Sequence, residues 1–213
     1  MRSLLLAILV LGIARPAIAQ CDHELKIDTH VVAEPEQVAS ATDLRLDQIA
    51  ELAKRSGSTQ DTAPLGFYTA QVDDKIQVDL DHDVSGACLP HIQVQLHLQL
   101  ARRRIEIGQE LIKTPCLYVA ALEHYRRKAA ADEAAFAAYV HSIAAALHAA
   151  PFVGTAERAT GFDDATRAEV VHWVKSVVDQ GSQPFHDARV AAQRAVDSQD
   201  ESRRVSQACG RDA

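Results

Sequence analysis

Aromatic side chains are scarce in this chain: five Phe, four Tyr and one Trp among 213 residues, alongside a single Met. Together with an alanine-rich stretch in the second half, that scarcity leaves room for self-association through a helix, but nothing in the sequence fixes an oligomeric state. Positive charge is also short. Lys and Arg number 22 against 29 Asp and Glu, a formal net charge of −7, and a chain this acidic repels phosphate backbones and anionic lipid. Nucleic acid is therefore not an expected partner. The one basic run, Arg102-Arg103-Arg104, reads as a solvated turn. Catalytic signatures are missing too: there is no Gly-x-Ser-x-Gly nucleophile motif and no phosphate-binding loop. Each of the four cysteines has an available disulfide partner, which removes a thiol nucleophile. No internal repeat occurs. Beyond the first 20 residues no segment is continuously apolar enough to cross a membrane.

Those first 20 residues read as a secretory leader. Arg2 supplies a basic start, residues 4–13 a short apolar core, Arg15-Pro16 a break, and Ala17-Ile18-Ala19 a small-x-small cleavage site. The apolar run is about half of the ~20 residues a membrane span needs, so cleavage is expected rather than anchoring. Gln20 precedes Cys21 where a lipoprotein signal wants a small residue, which argues against lipid attachment. The expectation is a signal peptide over residues 1–20 and a single α+β domain over 21–213, helical from about 115 to 209. It would be periplasmic or secreted, disulfide-permissive and free of the membrane once cleaved.

Leu25, Ile27, Thr29 and Val31 alternate with polar residues as a first strand. Leu46, Ile49, Ala50 and Ala53 share one face of a short helix over residues 46–55, with Gly57 as its stop. Gly66-Phe67-Tyr68 starts another strand, and Ile76, Val78 and Leu80 mark a clearer one. The strongest strand is residues 91–100, where Ile92, Val94, Leu96, Leu98 and Leu100 alternate with His91, Gln93, Gln95, His97 and Gln99. Ile105, Ile107 and Leu111 read as the return strand of a hairpin that turns at residues 101–104. The fold class predicted is thus α+β, with a small, mostly antiparallel sheet whose hairpin leads into a long helix, and C-terminal helices behind.

Extending that hairpin outward brings Cys88 opposite Pro115 or Leu117, next to Cys116. Cys88–Cys116 is the expected pair, which leaves Cys21–Cys209 to tie the domain ends together; four cysteines allow three connectivities. From Pro115 an Ala-rich run with Phe136, Tyr139, Val140, Ile143 and Leu147 on one stripe predicts a helix to Ala149, ended by Pro151. Its length of ~50 Å predicts that the second half pairs with another helix. The candidate is residues 163–180, with Asp163 as N-cap, a Val170, Val171, Val174, Val177, Val178 stripe, and Gly181 as stop. A last polar helix over 184–206 carries Cys209 back to the body.

The segment from Cys116 through Tyr118, Leu122, His124 and Tyr125 to Lys128 follows a β-hairpin and opens a helix. It resembles a bacterial family of secreted HExxH proteins predicted to be zinc-dependent proteases, in which a Cys-aromatic-x-x-x-Leu-x-His-Glu-x-x-His helix follows a hairpin and a further cysteine lies near the C-terminus. The similarity covers residues 66–132 and, more loosely, 197–209. In HExxH chemistry two histidines one turn apart hold zinc and the glutamate between them is the general base. His124 stands at the first histidine, Tyr125 at the glutamate and Lys128 at the second histidine. An ammonium has no lone pair for a metal, and a phenol of pKa ~10 is no base at pH 7. The resemblance therefore implies a degenerate motif: no catalytic residue, no metal and no cofactor.

The simplest expectation for Lys128 is an exposed i,i+4 pair with Asp132, worth a few tenths of a kcal/mol. The other reading is a fixed cation that replaces the lost metal charge and holds a carboxylate, Asp132 or one the fold brings in. His124 is read as a packed or hydrogen-bonded remnant. The acidic run from Asp79 to Asp83 lacks the glycine and distal glutamate of a calcium loop and reads as a solvated turn. His141 and His148 share a helix face but lack a full ligand set. His91 and His97 fall on the polar face of their strand. The function expected is a non-catalytic binding or structural module, its partner a protein or peptide taken through the former substrate cleft or the sheet edge. Two alternatives stand beside it. One is an active metal hydrolase with ligands such as Glu123, Asp132 or a distant His added to His124; the other is a periplasmic metal binder using several of the 10 histidines.

Overall fold

Alternating apolar residues organise the sheet around one long central strand. The computed structural model describes residues 27–55, 64–81, 91–150, 152 and 164–210. Their order is β1 (Ile27–Pro35), β2 (Ala39–Ala41), α1 (Leu46–Arg55), β3 (Gly66–Asp81), β4 (His91–Ile107), a short 3-10 helix (Gln109–Lys113), α2 (Pro115–Ala149), α3 (Asp164–Val196) and α4 (Gln199–Ser206). This is an α+β chain. The leader, Cys21, Cys88 and the Asp163 cap lie outside the described residues.

Strand β4 does not turn at its arginines. It continues to Ile107 and pairs along its whole length with β3, from Asp81↔His91 to Gly66↔Ile107. The change of apolar phase between Leu100 and Ile105 that reads as a turn is a β-bulge. Arg102 and Arg103 together oppose Ala70, and Arg102 adopts φ 52°. An extra residue on one strand moves every later side chain to the other face. Ile92 to Leu100 therefore point inward at even numbers, and Arg103, Ile105 and Ile107 at odd ones; all are buried.

The sheet is also not mostly antiparallel. Strand β1 runs parallel to β4 (Ile27↔Ile92 to Pro35↔Leu100), and β2 continues the same edge in parallel (Ala39↔Arg104 to Ala41↔Glu106). The break between β1 and β2 meets the bulge: Glu36 N–H donates to the Leu100 carbonyl (2.9 Å), and Arg102 N–H donates to the Glu36 carboxylate (2.6 Å). The crossover that parallel pairing demands is supplied by α1 and β3.

Helix α2 is unbroken over 35 residues, about 52 Å at 1.5 Å per residue. Its second half pairs with α3 as its stripe predicts. Phe136, Tyr139, Ile143 and Leu147 join Val170, Val174, Val177, Val178 and Phe185 over the inner face of β4. Helix α3, however, does not stop at Gly181. It runs through Gly181 and Pro184 to Val196. Gly181 is a close-approach residue, since a Cβ there would lie 2.5 Å from Ile143 Cδ1 and 3.1 Å from Tyr139 Cε2. Pro184 lacks an N–H and its ring crowds the carbonyl of Gln180, a cost that the burial of α3 against α2 offsets.

Candidate functional site

The first half of α2 has two working faces. Ala121 and Tyr125, four residues apart, pack with Ile105, Ile107 and Leu111 beneath the end of β4. His124 and Lys128, also four apart, lie on the neighbouring face, and onto that face the chain brings Asp197 and α4.

Tyr125 is turned into the protein. The Gly66 N–H donates to its phenol oxygen at 3.2 Å. Burial pushes the phenol well above its ordinary pKa, against the pull of the Gly66 hydrogen bond, and the Asp197 charge adds to the rise. No Cβ fits at Gly66, because it would meet the Glu106 carbonyl and Tyr125 Cε2 at 2.6 Å each. Tyr125 is thus a neutral structural hydrogen-bond acceptor.

Lys128 does not pair with Asp132. Its Nζ lies 2.8 Å from Asp197 Oδ2, the two side chains 13% and 21% exposed, and 5.6 Å from the Tyr125 ring centre. Of the two readings of Lys128, the geometry matches the cation that holds a carboxylate brought in by the fold. The cause is the α3–α4 junction, where Asp197 lies just before the Ser198 N-cap and Glu201 in the first turn of α4. His124 sits between these two acids, Nδ1 at 3.1 Å from Glu201 Oε1 and Nε2 at 3.2 Å from Asp197 Oδ1. Glu201 is further bound by Arg127 and by Arg204 (Nε to Oε2, 2.9 Å), and Arg204 reaches Glu123 at 3.5 Å. Hydrogen bonds from Arg204, opposed by burial and aided by Arg127 and His124, hold the Glu201 carboxyl down at about 2. Burial pushes Asp197 up, but His124 and Lys128 outweigh it, and its pKa lies below the usual carboxylate value.

A catalytic zinc does not fit these residues. Lys128 is an ammonium already bound to a carboxylate and has no lone pair to offer. The two nitrogens of His124 face different acids from opposite edges of the ring, so His124, Asp197 and Glu201 cannot converge on one point. Among the described residues no group of three or more His, Cys, Asp or Glu side chains is placed to hold a metal ion. Glu123 faces Arg204, and His141 and His148 are exposed. Asp79 is an exposed strand residue of β3, and the rest of its acidic run lies outside the residues whose side chains are described.

The disulfide expectation is corrected on the same face. Cys116 is joined to Cys209, with Cα atoms 5.5 Å apart, so neither Cys88–Cys116 nor Cys21–Cys209 forms. The hairpin behind the Cys88 assignment is absent, because β4 passes straight through residues 101–104. What approaches Cys116 is the C-terminal segment, laid along α2 by the ion pairs of Asp197 and Glu201.

Asp132, two turns below His124, belongs to a separate buried network. It is 0% exposed, takes two hydrogen bonds from Arg189 (Nη2 to Oδ2, 2.9 Å; Nε to Oδ1) and accepts the Tyr68 hydroxyl at 3.1 Å. Arg103, expected in a solvated turn, is 5% exposed and donates to Tyr68 Oη (3.4 Å), the Glu36 carbonyl (2.8 Å), the Ala129 carbonyl (3.1 Å) and Glu133 (2.9 Å). Burial, opposed by Arg103 and assisted by Asp132, pushes the Tyr68 phenol up to about 12. Sequence reasoning missed Asp197, Glu201 and Arg127 as parts of the site. The one signal that could have found the acids is their four-residue spacing, which repeats that of His124 and Lys128. No family model, curated protein or solved structure matches the chain.

Proposed function

We propose that this chain is an exported, non-catalytic relative of the predicted zinc-dependent proteases that its Cys116–Lys128 segment resembles, acting in the periplasm or outside the cell as a binding module for a protein or peptide. The observation that carries the reading is Lys128: an ammonium at the place of a metal ligand, 2.8 Å from Asp197 and largely out of solvent. With Tyr125 spent on Gly66, the helix keeps the framework of a metal site and none of its chemistry. The Cys116–Cys209 bond agrees with an oxidising compartment. Native mass spectrometry of the oxidised chain, incubated with zinc and desalted, tests the reading together with a casein assay. The expected result is no retained zinc and no turnover. One retained zinc, or turnover stopped by a chelator, would overturn it.

A further inference from the structure

The segment that covers the His124 face is held there by charge and by one covalent bond, and hardly by packing. Helix α4 buries no residue. Its Glu201 is gripped by His124 and Arg127, its Arg204 faces Glu123, and Asp197 just ahead of it is gripped by His124 and Lys128. Charge complementarity is close: the α2 face offers two fixed cations and an imidazole to two acids four residues apart, then Glu123 to a cation three residues further on. The tether is Cys116–Cys209. Cys116 is exposed in the first turn of α2, behind Pro115, where the helix dipole favours a departing thiolate.

We propose that the His124, Arg127 and Lys128 face of α2 is a docking site for a segment of another protein that carries one carboxylate just before a helix N-cap, a second in the first turn of that helix four residues on, and a cation three residues beyond. Reduction of Cys116–Cys209 opens the site by releasing the chain's own copy of that segment, Asp197, Glu201 and Arg204. The inference rests on the reading of the chain as a non-catalytic binding module. In the opening step a thiolate of an external dithiol attacks Cys209 Sγ, Cys116 leaves as thiolate, and the second thiol of the reductant resolves the mixed disulfide. The protein gains two thiols and the dithiol becomes a disulfide. Still joined to the end of α3, the freed segment then holds to α2 by its ion pairs without the cross-link, and salt screens these and a competitor of the same charge pattern displaces them.

The probe is a fluorescein-labelled peptide of residues 196–208, followed by fluorescence anisotropy against three forms of the full chain: oxidised, reduced with a dithiol, and oxidised Asp197→Asn/Glu201→Gln. The last keeps the tether and the disulfide but strips the segment of its carboxylates, so it opens the face without removing the cross-link. Both opened forms are expected to bind at least tenfold tighter than the oxidised wild type and to lose that binding as salt is raised. A peptide with the same two acids neutralised should not bind. If neither folded, opened form binds, or the neutralised peptide binds equally, the docking site is overturned. Binding by the substituted form but not by the reduced one overturns the release by reduction. Zinc retention measured on the same samples reports on the non-catalytic reading separately, since it would appear whether or not peptide binds.

Discussion

Truncating Asp132 to alanine should be among the most damaging single changes in this protein, and replacing its partner as well should repair most of the damage. Asp132 is fully buried, and the Arg189 guanidinium that pairs with it is three-quarters covered. Asp132→Ala leaves that guanidinium without a counter-charge beside the Ala70 carbonyl, and leaves the Tyr68 hydroxyl with no acceptor in place of Asp132. Stranding one member of a buried ion pair costs ~3–5 kcal/mol, a fall in Tm on the order of 10 °C for a chain of this size. Removing both charges removes the stranded group. The double variant Asp132→Leu/Arg189→Met should therefore return to within ~1–2 kcal/mol of wild type, because apolar replacement of a whole buried pair is often neutral. Urea denaturation of the oxidised chain, of Asp132→Leu, Arg189→Met and their double variant, and of Asp132→Ala, with m-values compared, gives the coupling energy directly. If the double variant is as unstable as Asp132→Ala alone, the deficit comes from lost packing, and the argument from a stranded charge fails.

Gly66→Ala should destabilise by ~1–3 kcal/mol, since its Cβ would meet the Glu106 carbonyl and the Tyr125 ring; a thermal melt within a degree of wild type would show that the strand can shift. The Cys116→Ser/Cys209→Ser variant should lose about 4–5 kcal/mol by the chain-entropy argument for a sequence separation of 93. A loss below ~1 kcal/mol in urea melts would mean that the unfolded chain keeps the same constraint without that bond. The hold of Glu201 on the His124 face should depend on acid in one direction. Its folded pKa is depressed from 4.5 to about 2, so its contribution is complete above about pH 4.5 and is lost as pH falls toward 2. The difference in Tm between wild type and Glu201→Gln should close over that window, and a gap that survives at pH 2 would contradict it.

Local periodicity and local stops determined much of this chain. Alternation marked residues 91–100 as a half-buried strand, the Leu46–Arg55 helix follows from its stripe, and the apolar stripe of α2 found its partner in the valines of α3. These signals are legible because each element buries its own face. The residue chemistry at Lys128 and Tyr125 was legible in kind, since an ammonium has no lone pair for a metal and a phenol of pKa ~10 is no base at pH 7. What the sequence left open was every choice between local solutions of equal quality. A flip of apolar phase at Arg102 and Arg103 is satisfied by a turn or by a bulge, and only the partner strand, one residue short at Ala70, decides. Gly181 serves as a helix stop or as a close-packing site, and the approach of Ile143 decides. Lys128 finds an acid at Asp132 on its own helix or at Asp197 across it. In the folded chain Arg189 holds Asp132, Lys128 pairs with Asp197, and the same C-terminal segment carries Cys209 to Cys116. Contacts between residues far apart in the chain depend on which groups remain unpaired after the others have packed, and that is known only when the tertiary structure has formed.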